Sequence, residues 1–222
     1  MSNDSKNYMM GISLGNPVFQ TSLFERIFPW LDSLGAERFE MILADKLECI
    51  NFMVRRRMSL DIAVSAARKR ASDLGKIIFA TVRGQNVHAV PIIESESVYR
   101  NTKLFEDVLA GIKAAYARRG RFCEDINNQV RVNLHALNRD FVDQHIDRLS
   151  LYVQEELALF YVYFSLRPDT IEVYPGKNLH VKEAMFRGEY LNELDCRPLS
   201  KMPMFIDISR MVPTAERGHH AA

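Results

Sequence analysis

The chain has 222 residues, 47% of them hydrophobic and 26% charged, and its 29 Lys and Arg nearly balance its 28 Asp and Glu for a formal net charge of +1. That length suits a single domain spanning 1–222 with a substantial core, and the near-zero charge excludes nucleic-acid binding through bulk basicity, so any such contact must come from a local patch. Cys49, Cys123 and Cys196 are far apart and odd in number, which fits a reducing cytoplasm better than a disulfide framework, and no pair has metal-ligand spacing.

The first ten residues are polar and then briefly apolar, so no signal peptide is expected. No apolar run approaches the roughly 20 residues of a membrane helix. Residues 8–15 read as a buried strand that runs into Gly11-Ile12-Ser13-Leu14-Gly15-Asn16. Phe24, Ile27, Phe28, Leu31 and Leu34 recur at three- and four-residue steps, which predicts an amphipathic helix over 22–34 despite Pro29, ended by Gly35. Residues 39–45 read as a second buried strand, with Asp45 at the C-terminal end, the functional edge of a parallel sheet. Helices are predicted over 47–53, 61–79, 104–119, 123–137 and 148–163, and strands over 87–93, 171–174 and 204–208. Strands separated by helices predict an α/β fold with a mostly parallel sheet. The terminal stretches 1–7 and 213–222 read as mobile tails.

Four groups of residues carry chemistry. Gly11-Ile12-Ser13-Leu14-Gly15 matches G-x-S-x-G, in which a serine stands exposed on a strand-to-helix turn; glycines let the backbone bend, and backbone N–H groups at the following helix start can hold an oxyanion. The plain alternative is a tight turn whose serine caps the next helix. A serine esterase or hydrolase reading meets two obstacles. Only about ten residues precede the serine, and none of His88, His135, His145 and His180 stands in a recognisable Asp-His setting. Tyr152 and Glu156, four apart, share one helix face amid apolar neighbours, so one of Glu155 and Glu156 lies close to the core. Such a carboxylate needs a partner, which in a pocket can be a substrate ammonium. Tyr174 ends a predicted strand and reads either as a site residue or as a buried aromatic before Pro175-Gly176. Arg55-Arg56-Arg57 and Arg68-Lys69-Arg70, with Lys76 beyond, read either as a solvated face or as a contact for a phosphate backbone.

Together these residues resemble the cyclodipeptide synthases, which join two aminoacyl groups from two charged tRNAs into a cyclic dipeptide. The resemblance spans roughly residues 8–180. It rests on Gly11-Ile12-Ser13 with Asn16, on Tyr152-x-x-x-Glu156 about 140 residues later, on Tyr174, and on Cys123-Glu124-Asp125 with Asn133. It implies a Rossmann-like fold similar to the catalytic domain of tyrosyl- and tryptophanyl-tRNA synthetases. It implies aminoacyl-tRNAs as substrates and no cofactor or metal, because the aminoacyl ester is already activated and no ATP is needed. Ser13 would be the nucleophile that accepts the first aminoacyl group, Tyr152 and Glu156 would hold its ammonium, and Tyr174 would serve the last proton transfers. Gly11, Met9, Ile42 and Leu159 would line the first pocket, and Asn133 the second. Asn16 and Pro175 combine marks of two subgroups, leaning to the proline type, and Ala158 stands where many members have proline. A tRNA-binding protein without chemistry is the remaining alternative.

Overall fold

The computed structural model describes residues 6–85, 88 and 91–212. Among them strand and helix alternate: β1 (Lys6–Ile12), α1 (Thr21–Ser33), β2 (Ala36–Leu43), α2 (Leu47–Arg55), α3 (Leu60–Arg83), β3 (Pro91–Ser95), α4 (Ser97–Arg100), α5 (Lys103–Ala117), α6 (Arg121–Asn133), α7 (Arg139–Gln144), α8 (Ile146–Leu166), β4 (Thr170–Tyr174), α9 (His180–Phe186) and β5 (Phe205–Asp207). The strands form one all-parallel sheet in the order β3-β2-β1-β4-β5. Parallel strands need long crossovers, and here helices supply them and cover both faces of the sheet.

The period-two alternation of β1 divides the core. Tyr8, Met10 and Ile12 face one layer, with Phe24, Ile27 and Phe28 of α1 and Leu74 and Ile78 of α3. Met9 faces the other, with Ile112 of α5, Ile126 of α6, Leu157 and Val162 of α8, and Val181 of α9. The chain leaves the central β1, moves outward through β2 to β3, then returns to lay β4 on β1's other side. That reversal opens a crevice at the carboxyl ends of β1 and β4, where open α/β sheets bind ligands.

Most predicted elements are present with shifted ends, and some expectations are corrected. Lys6 and Asn7, expected in a mobile tail, are strand residues paired with Ala36 and Arg38. Residues 1–5 and 213–222 lie outside the described residues. β1 stops at Ile12, and α1 begins only at Thr21, so Ser13 does not stand on a direct strand-to-helix turn. Asn16 causes the separation: its Oδ1 accepts the Val18 N–H (3.0 Å) and its carbonyl accepts the Phe19 N–H (3.3 Å), a local turn that competes with helix. Asp45 lies beyond β2 and accepts from Ser95 Oγ. The strand expected over 87–93 is Pro91–Ser95, with 87, 89 and 90 outside the described residues. All three cysteines are free. Among the described residues no helix is long and apolar enough to cross a membrane, and no group of three or more His, Cys, Asp or Glu could hold a metal ion.

Candidate active site

Ser13 follows β1 and Tyr174 ends β4, so the strand order alone places both at the crevice. Asn16 Nδ2 donates to Tyr174 Oη at 3.3 Å and ties the two edges together. α8 crosses this end of the sheet, and its Tyr152 Oη donates to Ser13 Oγ at 3.4 Å. One helical turn on, Glu156 lines the same pocket, as do Gly11, Ile42, Leu159 and Phe160. The pocket holds about 510 Å³ of empty space, its mouth included.

The two glycines flanking Ser13 serve proximity rather than bending. Neither has a positive φ. A Cβ on Gly11 would meet Phe160 Cζ at 3.2 Å, and one on Gly15 would meet Glu48 Oε1 at 2.8 Å. The expected oxyanion donors at the start of the next helix are also displaced, because residues 13–20 intervene before α1. The N–H groups at the start of α2 are engaged instead: those of Lys46 and Leu47 donate to Glu96 Oε1 at 2.5 and 2.6 Å.

Electrostatics set the protonation states. Burial pushes the Tyr174 hydroxyl up to about 12, against the Asn16 hydrogen bond, and holds Tyr152 well above the ordinary tyrosine value, with the Glu156 charge adding to the rise. Both are therefore neutral hydroxyls at neutral pH. Burial pushes Glu156 up to about 7; Lys182 opposes the rise, while Glu172 and Glu96 add to it. Lys182 is itself buried, at 2% exposure, with Nζ 2.6 Å from both Glu172 oxygens and 4.3 Å above the Phe160 ring. Glu156 thus faces the pocket with its charge only partly met by protein, an arrangement fit to receive a cation.

Met9, expected in the first pocket, is elsewhere, and Asn133, expected in the second, lies away from this one. Met9 is wholly buried in the core: it shares Gly11's face of β1 but sits two residues deeper, roughly 6.6 Å down the strand. Asn133 ends α6, exposed, and accepts from Gln129. No histidine lines the pocket among the described residues; His145 packs against Phe141, and His135 contacts the Val132 carbonyl.

No family model matches the chain, and no curated protein matches its sequence. Solved structures do match. A cyclodipeptide synthase from Fluoribacter dumoffii superposes with a TM-score of 0.72 at 15% identity over 87% of each chain. AlbC, a cyclodipeptide synthase from Streptomyces noursei, does so at 0.63 and 15% identity over 93% of this chain and 98% of that one. The chain has the cyclodipeptide synthase fold. A third structure of this fold, Rv2275 of Mycobacterium tuberculosis (TM-score 0.59, 13% identity, 82% and 77% of the two chains), is described as demonstrating that cyclodipeptide synthetases are related to type I tRNA synthetases. The Rossmann-like expectation and the resemblance to synthetase catalytic domains agree with this likeness.

Four further charged residues lie in or beside the pocket of this cyclodipeptide synthase fold, and the sequence alone did not single them out. Glu48 on α2 is buried against the Gly15 turn and is raised by burial, with Asn51, Arg70, Arg55 and Arg56 opposing. Glu96 and the Lys182–Glu172 pair are the others. The helical spacing of Glu48 to the buried Phe52, four residues on, is the signal that could have drawn attention to it; Glu96, between β3 and α4, carries no such signal. Arg55, Arg56, Arg57, Arg68, Lys69, Arg70 and Lys76 lie away from the pocket lining, and Lys76 pairs with Asp73 at 3.1 Å.

Proposed function

We propose that this chain is a tRNA-dependent cyclodipeptide synthase, an aminoacyltransferase that works through aminoacyl-Ser13 and dipeptidyl-Ser13. The observation that supports this most is the pairing of Ser13 Oγ with Tyr152 Oη in a pocket that also presents the Glu156 carboxylate. An amino acid esterified to that oxygen has its ammonium one helical turn from Tyr152, where Glu156 forms a charge-assisted hydrogen bond.

That placement supports the following steps. Ser13 Oγ attacks the ester carbon of the first aminoacyl-tRNA, the bond to the ribose oxygen breaks, and that oxygen takes the proton. Glu156 holds the ammonium. The amine of a second aminoacyl-tRNA attacks the acyl-Ser13 carbonyl and gives a tRNA-borne dipeptide whose carbonyl transfer back to Ser13 releases the second tRNA. The dipeptide's ammonium loses one proton to solvent, the neutral amine attacks the Ser13 ester carbon and closes the ring, and as the bond to Ser13 Oγ breaks that oxygen takes the second proton shed by the nitrogen. Tyr174, a neutral hydroxyl whose oxygen accepts from Asn16, keeps its O–H free to relay that proton. Splitting the synthesis through a serine ester makes each step easier, and the apolar walls from Ile42, Leu159 and Phe160 limit hydrolysis.

The hydrolase alternative needs a histidine base, and among the described residues none lines the pocket. Expression of the wild type in bacteria, with mass spectrometry of the medium, is expected to yield a diketopiperazine. Ser13→Ala is expected to abolish it while leaving tRNA binding intact. Soluble wild type without any diketopiperazine, or a Ser13→Ala variant that still makes one, overturns the reading.

A further inference from the structure

Two carboxylates line the pocket, and the reaction above uses only Glu156. The other, Glu96, follows β3 directly and has 0% exposure. Its Oε1 accepts the Lys46 and Leu47 N–H groups and is approached by Arg100 Nε at 3.5 Å. Its Oε2 is buried and has no hydrogen-bond partner. A buried carboxylate oxygen left unmet is costly and calls for a reason, and in a pocket a ligand's donor supplies one.

The sheet gives the distance that ligand must cover. β3 lies two strands from β1, and neighbouring strands are about 4.8 Å apart, so Glu96 begins about 10 Å across the sheet from Ser13. The pocket between them is continuous, passing Ile42, Ala44 and Leu47. For an amino acid esterified to Ser13 with its ammonium on Glu156, that channel is the space open to its side chain on the β3 side. The floor is apolar and the far end is an acceptor oxygen.

We infer that the first aminoacyl group carries a long side chain ending in a hydrogen-bond donor, which meets Glu96 Oε2. This rests on the synthase reading and adds the class of substrate to it. Charge balance ranks the candidates. Among the described residues around the pocket, Glu96, Glu155, Glu156 and Glu172 face two internal cations, Arg100 and Lys182. Arg100 is shared between Glu155, 2.7 Å from its Nη2, and Glu96, 3.5 Å from its Nε, and Lys182 is taken up by Glu172, so four carboxylates meet two cations. The substrate ammonium answers Glu156, which leaves Glu96 for a second positive charge. Lysine and arginine therefore fit best. Burial lifts Glu96 to about 7 despite Arg100 and two backbone donors, so an incoming cation finds it undercompensated.

The test charges one tRNA species in turn with radiolabelled lysine, arginine, glutamine, tyrosine, methionine, leucine and phenylalanine, and measures covalent label on the purified protein. Label from the donor-ended group is expected to exceed that from methionine, leucine and phenylalanine at least tenfold. In Glu96→Gln, which places an amide donor at Oε2, the lysine-to-methionine ratio is expected to fall at least tenfold. Best labelling by methionine, leucine or phenylalanine overturns the inference while the synthase reading stands. So does an unchanged ratio in Glu96→Gln. Should that variant not fold, the wild-type ranking alone decides. No covalent label from any of the seven overturns the synthase reading and this inference together.

Discussion

Burial raises Glu156 to about 7, and Lys182 alone among its charged neighbours opposes that rise. Two outcomes follow with opposite signs. On the synthase reading the carboxylate form is the one that holds the ammonium. So kcat/KM for the first aminoacyl-tRNA is expected to fall about tenfold per pH unit as pH drops below about 7. Tyr152 and Tyr174 titrate far above that range, whereas Glu96, also at about 7, titrates within it; the limb is expected to persist in Glu96→Gln. For stability the sign reverses. A carboxyl raised above its ordinary 4.5 contributes stability fully below that value, and the contribution is lost as pH rises through about 7. Glutamine copies the neutral acid. Glu156→Gln is therefore expected to be inactive yet more stable at pH 8, by at most about 3 kcal/mol, with the advantage gone at pH 4. Urea titrations at the two pH values check this, and equal stability at pH 8 would refute the assigned burial.

The Lys182–Glu172 pair joins α9 to β4 beneath the pocket, and at 2% and 3% exposure neither charge has water to fall back on. Lys182→Met leaves Glu172 buried and alone, so a destabilisation of about 3–5 kcal/mol is expected. Lys182→Met with Glu172→Gln should recover most of it, and the comparison is a double-mutant cycle read by denaturant unfolding. The single variant also removes the cation opposing Glu156, so the acidic limb of its pH profile should move upward. This pair shows where reading the sequence runs out. Elements with two or more periodic turns were legible: the apolar stripe of α1, the long α3, and α8 with Tyr152 and Glu156 on one face. α9, at seven residues, is too short to display a period, and nothing local marks Lys182 as internal. α4 and α7 were missed for the same reason. The Gly-Ser segment was legible as a site for the wrong local reason, since its glycines make room for Phe160 and Glu48 and the helix start lies beyond the Asn16 turn. Met9 was misplaced because spacing along the chain does not fix depth along a strand.

A net charge of +1 means that any grip on tRNA depends on where the positive residues collect. α2 links the two regions: Leu47 at its start lines the pocket, and Arg55 at its end opens the basic run, roughly 12 Å away at 1.5 Å per residue. The field at Glu48 identifies which arginines share a side. Arg70, Arg55 and Arg56 all lower its raised carboxyl, so Arg70 of α3 faces the same region as the end of α2. Arg68 and Lys69 precede Arg70 at about 100° steps around α3 and fan away from it. Lys76 is engaged by Asp73. On the synthase reading, the tRNA backbone approaching Ser13 crosses Arg55, Arg56 and Arg70, and these should carry the salt dependence of binding. The Arg55→Ala, Arg56→Ala, Arg70→Ala triple variant is expected to weaken tRNA binding irrespective of the attached amino acid. It should also reduce the slope of log K against log salt by roughly 0.7 for each single-strand phosphate that the variant no longer neutralises. Arg68→Ala with Lys69→Ala should change the slope much less. Filter binding across a salt series distinguishes the two sets. Equal slopes in the wild type and the triple variant would make the run a solvated face and move the tRNA path elsewhere on the molecule.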